Sequence, residues 1–134
     1  MRLYLLTSIF VILMLITIGC SSGTGKNVGI FKSAADKGSQ ALSAGIQNYE
    51  DGKYKTATKN LKSSLDLGLA DQSDAVQAHK YLAFIYCLSN REKKCRDEFR
   101  KVLEKDSQFD LKPEEAGHPS WGPVFRTVKA QRKK

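Results

Sequence analysis

After Lys37 the apolar positions of the chain fall at helical spacing. Leu42, Ile46 and Tyr49 stand at i, i+4 and i+7, and Tyr54, Ala57, Leu61 and Leu65 keep the same period. Tyr81 to Leu88 is apolar almost all round, the pattern of a helix buried at the centre of a domain. Cys95, Phe99, Val102 and Leu103 form another stripe, and Trp121, Val124, Phe125 and Val128 the last. No β-branched run between turns competes with these stripes, so the expected fold class is all-α.

The polar breaks agree with that division. Asp51-Gly52-Lys53 separates the first two helices, and residues 67–73, with Gly68 among them, separate the second from the third. Asp74 is placed to cap the third helix, and Ser89-Asn90 ends it. Pro113 fits the first turn of a short helix, with Glu114 and Glu115 at its positive end. Ser120 is the expected N-cap of the last helix, where Pro123 is tolerable because it lies in the first turn. Residues 20–37 carry Ser-Ser-Gly-Thr-Gly and little hydrophobic pattern, and read as a flexible linker ahead of a helical domain at 38–134.

Helix pairs of this length invite a search for repeats. Gly52-x-Tyr54-x-x-Ala57-x-x-x-Leu61 aligns with Asn90-x-Glu92-x-x-Cys95-x-x-x-Phe99, and each follows a helix with a small residue at the crossing, Gly45 or Ala83. This resembles the tetratricopeptide pattern, with repeats at about 38–71 and 76–109. Ala41 and His79 stand where that pattern has Trp, Cys95 where it has a small residue, and the first repeat lacks the terminal Pro. Two repeats leave an apolar face open, so the Trp121 helix is expected to cap it. An ordinary helical bundle is the alternative.

The first twenty residues have a different character. Met1-Arg2 is a short basic start, Leu3 to Ile18 carries no charge, and Ile16-Thr17-Ile18-Gly19-Cys20 closes the run with small and uncharged residues. This resembles the lipobox of bacterial lipoproteins. The resemblance implies a signal peptide at 1–19 and a diacylglycerol on the Cys20 thiol. It further implies cleavage before Cys20 and acylation of the new amine. Ser21 in place of Asp favours the outer membrane, with the domain facing the periplasm. An uncleaved transmembrane anchor would not need Gly-Cys at that place.

Three strings are more specific than a repeat consensus: Ala78-His79-Lys80-Tyr81-Leu82-Ala83-Phe84-Ile85-Tyr86-Cys87, Cys95-Arg96-Asp97-Glu98-Phe99-Arg100 and Glu115-Ala116-Gly117-His118-Pro119-Ser120-Trp121-Gly122-Pro123-Val124-Phe125. With the lipobox they resemble the TssQ-type lipoproteins of type VI secretion systems, over most of the chain from about residue 40. That resemblance implies an accessory envelope protein whose partner is a component of the secretion machine.

The formal charge of +8 would suggest nucleic acid in a cytoplasmic protein, but outside the cytoplasm anionic headgroups, wall polymers or an acidic protein face fit better. A direct binder of anionic lipid or cell-wall polymer, through Arg91, Lys93, Lys94, Arg96, Arg100 and the basic tail, is therefore one alternative function. A pilotin-like assembly helper is another. Cys87 and Cys95 end one helix and begin the next, so in an oxidising compartment a disulfide is expected. Two buried core thiols are the alternative.

His79 reads as a core or capping residue, and His118 as the shaper of a turn before Pro119. The sequence offers no catalytic residues, metal ligands, phosphate loop or cofactor motif, so no enzyme activity and no small-molecule substrate are expected. In tetratricopeptide proteins the first helix of each repeat lines a concave face. By that resemblance Leu42, Ile46, Tyr49, Lys80 and Phe84 form a partner groove, either free or filled by the last helix.

Overall fold

A computed structural model describes residues 33–132. The signal segment, Cys20 and the last two lysines lie outside the described residues. Among the described residues six helices follow in order: α1 Ala34–Glu50, α2 Tyr54–Leu67, α3 Gln72–Leu88, α4 Glu92–Lys105, α5 Pro113–Ala116 and α6 Gly122–Arg132. The fold class is all-α, with no strand among the described residues. α1 packs on α2 and α3 on α4; α3 joins the two pairs, and α6 lies on α4.

α1 starts inside the stretch expected to be linker. The Ser33 hydroxyl accepts from the Asp36 amide at 3.1 Å, and Asp36 accepts from the Ser33 amide at 3.0 Å. This reciprocal capping box satisfies two otherwise orphaned donors and fixes the start at Ala34. Gly38 and Gly45 share the face of α1 that meets α2. A Cβ on Gly38 would lie 2.0 Å from the Gly68 carbonyl oxygen, and one on Gly45 2.7 Å from Leu61 Cγ. The crossing is thus glycine against leucine in the first hairpin.

The two hairpins turn in the same way. In the first, the amides of Asp51, Gly52 and Lys53 donate to the carbonyls of Gln47, Tyr49 and Asn48; in the second, Ser89, Asn90 and Arg91 donate to Ile85, Cys87 and Tyr86. Each turn has a left-handed residue at the same place, Gly52 at φ 73° and Asn90 at φ 57°. Glycine and asparagine are the residues that adopt this conformation at least cost.

Two expected caps differ from the structure. α3 begins at Gln72 with Asp71 at its N-cap, and Asp74 sits in the first turn, where its charge complements the helix dipole. Ser120 does not cap α6. Its amide donates to His118 Nδ1 at 3.2 Å, and the Gly122 amide donates to the His118 carbonyl at 2.9 Å. The bound imidazole holds Ser120 in the turn, so α6 begins two residues later. Pro123 does lie in its first turn.

Phe84, Phe99, Phe125, Leu61, Leu82 and Leu103 are the largest side chains fully enclosed. Phe99 links the second hairpin to α6 through edge contacts with Phe84 at 6.1 Å and Phe125 at 5.1 Å. Across the turn from α3 to α4, Cys87 and Cys95 form a disulfide with Cα atoms 5.2 Å apart. Cys95 occupies the buried place that Ala57 holds in the first hairpin, so the bond covers a crossing rather than an exposed loop.

Candidate partner face

Two packed helices, α1 and α3, bring Ile46, Tyr49, Tyr81 and Phe84 together. The Tyr49 ring stands edge-on to Tyr81 at 5.0 Å and 6.2 Å from Phe84, and Tyr54 meets it from the start of α2 at 5.7 Å. Ile46, Tyr49 and Tyr81 are half-buried, and Tyr54 is 40% exposed. One end of this aromatic face is open.

The other end is covered by the chain itself. Trp121 stacks on Phe84 at 4.2 Å and on His118 at 3.4 Å, and its indole N–H donates to the Glu115 carbonyl at 2.8 Å. The Glu115 side chain accepts from Lys80 Nζ at 2.6 Å. Lys80 is almost wholly buried, its ammonium 4.7 Å from the Tyr81 ring centre and 5.6 Å from that of Phe84. A buried lysine of this kind is tolerated because Glu115 matches its charge and two aromatic rings stand beside the ammonium.

The five residues expected to line a groove therefore divide. Leu42 and Phe84, at 5% and 2% exposure, belong to the core, and Lys80 is held by Glu115. Ile46 and Tyr49 remain accessible. Tyr54 and Tyr81, which the repeat pattern did not select, complete the open part. Leu42 turns inward because its neighbours on α1 are the two glycines that draw α2 close.

The Tyr49 and Tyr81 hydroxyls stay protonated well beyond neutrality. Burial, then the neighbouring Tyr54, Tyr81 and Glu115, pushes Tyr49 from 10.0 up to about 12. Burial and the charges of Glu115 and Glu50 raise Tyr81 as well. Both present neutral hydroxyls beside an apolar floor.

On the far side of α3, His79 Nδ1 lies 2.6 Å from Glu98 Oε2, and Lys101 donates to Glu98 Oε1 at 2.9 Å. Glu98 was not singled out in the sequence. Its signal is a carboxylate placed on the buried stripe of α4, between Cys95 and Val102. Burial raises the Glu98 carboxyl, but hydrogen bonds from His79 and Lys101 and their charges outweigh it and hold the group below its usual range.

The basic row of α4 is largely matched within the helix. Lys93 and Arg100 pair with Asp97 at 3.1 and 2.7 Å, and Arg96 pairs with Glu92. Arg91 and Lys94 make no ion pair among the described residues. Among the described residues no cluster of three His, Cys, Asp or Glu side chains could hold a metal, and no helix is long and apolar enough to cross a membrane. Comparison with protein-family models, with curated proteins and with solved structures returned no match.

Proposed function

We propose that this chain is a lipid-anchored envelope lipoprotein that acts as a protein-binding scaffold, an accessory factor of a type VI secretion system. In this reading residues 1–19 are removed, Cys20 carries lipid in the outer membrane, and the domain faces the periplasm. Its architecture is that of two tetratricopeptide-like hairpins with α6 as a capping helix. The recurrence of the same turn hydrogen bonds in both hairpins supports the repeat. The position of α6 against α4, with Trp121 over Phe84, supports the cap. The disulfide between Cys87 and Cys95 suits an oxidising compartment.

The observation that carries the scaffold reading is the half-open aromatic face of Ile46, Tyr49, Tyr54 and Tyr81. Aromatic side chains on a rigid helical surface are the common anchors of protein contacts. A segment with apolar anchors would lie along α1 and stop where Trp121 and the Lys80–Glu115 pair close the groove. No catalytic step, cofactor, nucleic acid or small-molecule substrate enters this reading.

The test is a photo-reactive amino acid placed at Tyr81 in the native host. A discrete adduct with an envelope component, lost when Tyr49→Ala is added and absent when the probe stands at Lys93, is the expected result. Secretion should fall in the Tyr49→Ala strain. Adducts of equal yield from Tyr81 and Lys93 would remove the case for this face.

A further inference from the structure

α2 is charged against its own dipole. Lys55 and Lys59 stand in its N-terminal half, its first turn holds no acidic residue, and its last turn holds Asp66 and no basic residue. Helix dipoles favour the reverse order at both ends. Lys55 and Lys59 are also like charges at i, i+4, and Lys59 and Lys62 at i, i+3, spacings that repel.

These three lysines are exposed and make no ion pair among the described residues. They lie opposite the buried stripe of Ala57, Leu61 and Ser64, on the outermost line of the helix. α4 shows the contrast: Glu92 in its first turn, Lys105 in its last, and Lys93, Arg96, Arg100 and Lys101 each paired with a carboxylate at i, i+3 or i, i+4. The charges of the α2 lysines therefore find no partner among the described residues. A local rule broken in this way marks a surface shaped by something outside it.

Two more cations extend the patch. Arg91, exposed at the N-cap of α4, lines a groove of about 450 Å³ together with Lys55, Tyr54, Thr58, Ile85 and Tyr86. Lys94 lies over the Tyr86 ring at 5.7 Å. Tyr54, with the greatest exposure among the large apolar side chains described, stands at the rim. Lysines around a tyrosine-lined apolar groove suit the boundary between water and acyl chains, where ammonium groups reach phosphates and phenol rings sit at headgroup depth.

We propose that this face, Lys55, Lys59, Lys62, Arg91 and Lys94, rests on the anionic phospholipid headgroups of the membrane that holds the chain. The proposal rests on the lipid-anchored reading above. The tether argues for the membrane over a free acidic protein. Residues 21–32 separate Cys20 from the capping box at Ser33, which limits the reach of the domain to about 40 Å and keeps headgroups at high effective concentration.

Each lysine at an anionic surface shifts the balance between docked and free domain by about fivefold, and the three of α2 together by about a hundredfold. The test uses the full chain reconstituted in two kinds of vesicle, phosphatidylcholine alone and phosphatidylcholine with phosphatidylglycerol. Flotation with the vesicles reads the anchor. Amine acetylation followed by peptide mass spectrometry reads the face.

On phosphatidylglycerol vesicles Lys55, Lys59, Lys62 and Lys94 should label about tenfold less than on neutral ones, with the protection lost in high salt and Lys112 unchanged. The triple change Lys55→Gln, Lys59→Gln, Lys62→Gln should abolish protection at Lys94 without lowering the unfolding transition. Equal labelling on both vesicles, in a chain that floats with both, overturns the proposal. Protection on native envelopes but not on phosphatidylglycerol vesicles overturns it too, in favour of an acidic protein or polymer. A chain that floats with neither sinks the anchored reading and this one with it.

Discussion

His79 Nδ1 and Glu98 Oε2 meet at 2.6 Å between α3 and α4, with both side chains almost wholly removed from water. An ionised carboxylate only accepts, so this ring nitrogen carries the proton and donates. Glu98→Ala leaves that donor unsatisfied in the core and should cost about 1.5–3 kcal/mol. The carboxyl is held below its usual value of 4.5, so its contribution is complete above that pH and is lost as the pH falls below it. Urea unfolding of wild type and Glu98→Gln should show a gap at neutral pH that narrows as the pH falls below the ordinary carboxyl range.

The bond between Cys87 and Cys95 closes a loop with a sequence separation of 8. In the chain-entropy model such a loop stabilises by about 2.5 kcal/mol. Reduction, or the pair Cys87→Ser and Cys95→Ser, should therefore lower Tm by roughly 10–20 °C for a domain of this size. Peptide mapping without reductant should recover the linked pair. Two free thiols in protein taken from the envelope would contradict the structure.

Trp121 is the single tryptophan of the chain and closes the groove over Phe84. Trp121→Ala should cost about 3–5 kcal/mol, a large share of the stability of a small domain. Loosening of α6 should follow, read by faster amide exchange in residues 122–132. In the wild type, Trp121 fluorescence should resist quenching by acrylamide until the main transition.

Tyr49 should titrate near pH 12 when followed by tyrosinate absorbance. Glu115→Gln should move it down, because one of the charges that raises it is gone. An unfolded tyrosine ionises at about 10, so this group's contribution is complete below that pH. It is lost as the pH climbs to about 12. Alkaline unfolding should steepen through that interval, and less so in Tyr49→Phe.

Gly38→Ala tests the close approach of α1 and α2. Alanine favours the helix by about 1 kcal/mol, but its Cβ would meet backbone that cannot rotate away. Overpacking of this kind should dominate and give a net loss of about 1–3 kcal/mol in urea unfolding.

Periodicity made the hairpins, their breaks and the buried crossing at Gly45 readable, because each depends on residues three, four or seven apart. Cys87 and Cys95 were readable for a similar reason, being neighbours across one turn. The start of α1 was hidden because Ser33 and Asp36 sit among the small polar residues of an apparent linker. His79–Glu98 and Lys80–Glu115 were hidden because their partners lie on different elements, with separations of 19 and 35 residues that no local pattern fixes. The matched charges of α4 were legible in principle from Glu92, Lys93, Arg96 and Asp97, read as pairs at i, i+4 rather than as a basic row. Tyr54 and Tyr81 escaped because the repeat pattern marks them as helix packing, and only the fold exposes their edges.

Intact mass spectrometry of the chain purified from membranes tests the central claim most directly. The account predicts a species that begins at Cys20 and carries a diacylglycerol and a further acyl chain. An unmodified chain that still contains residues 1–19 would contradict it.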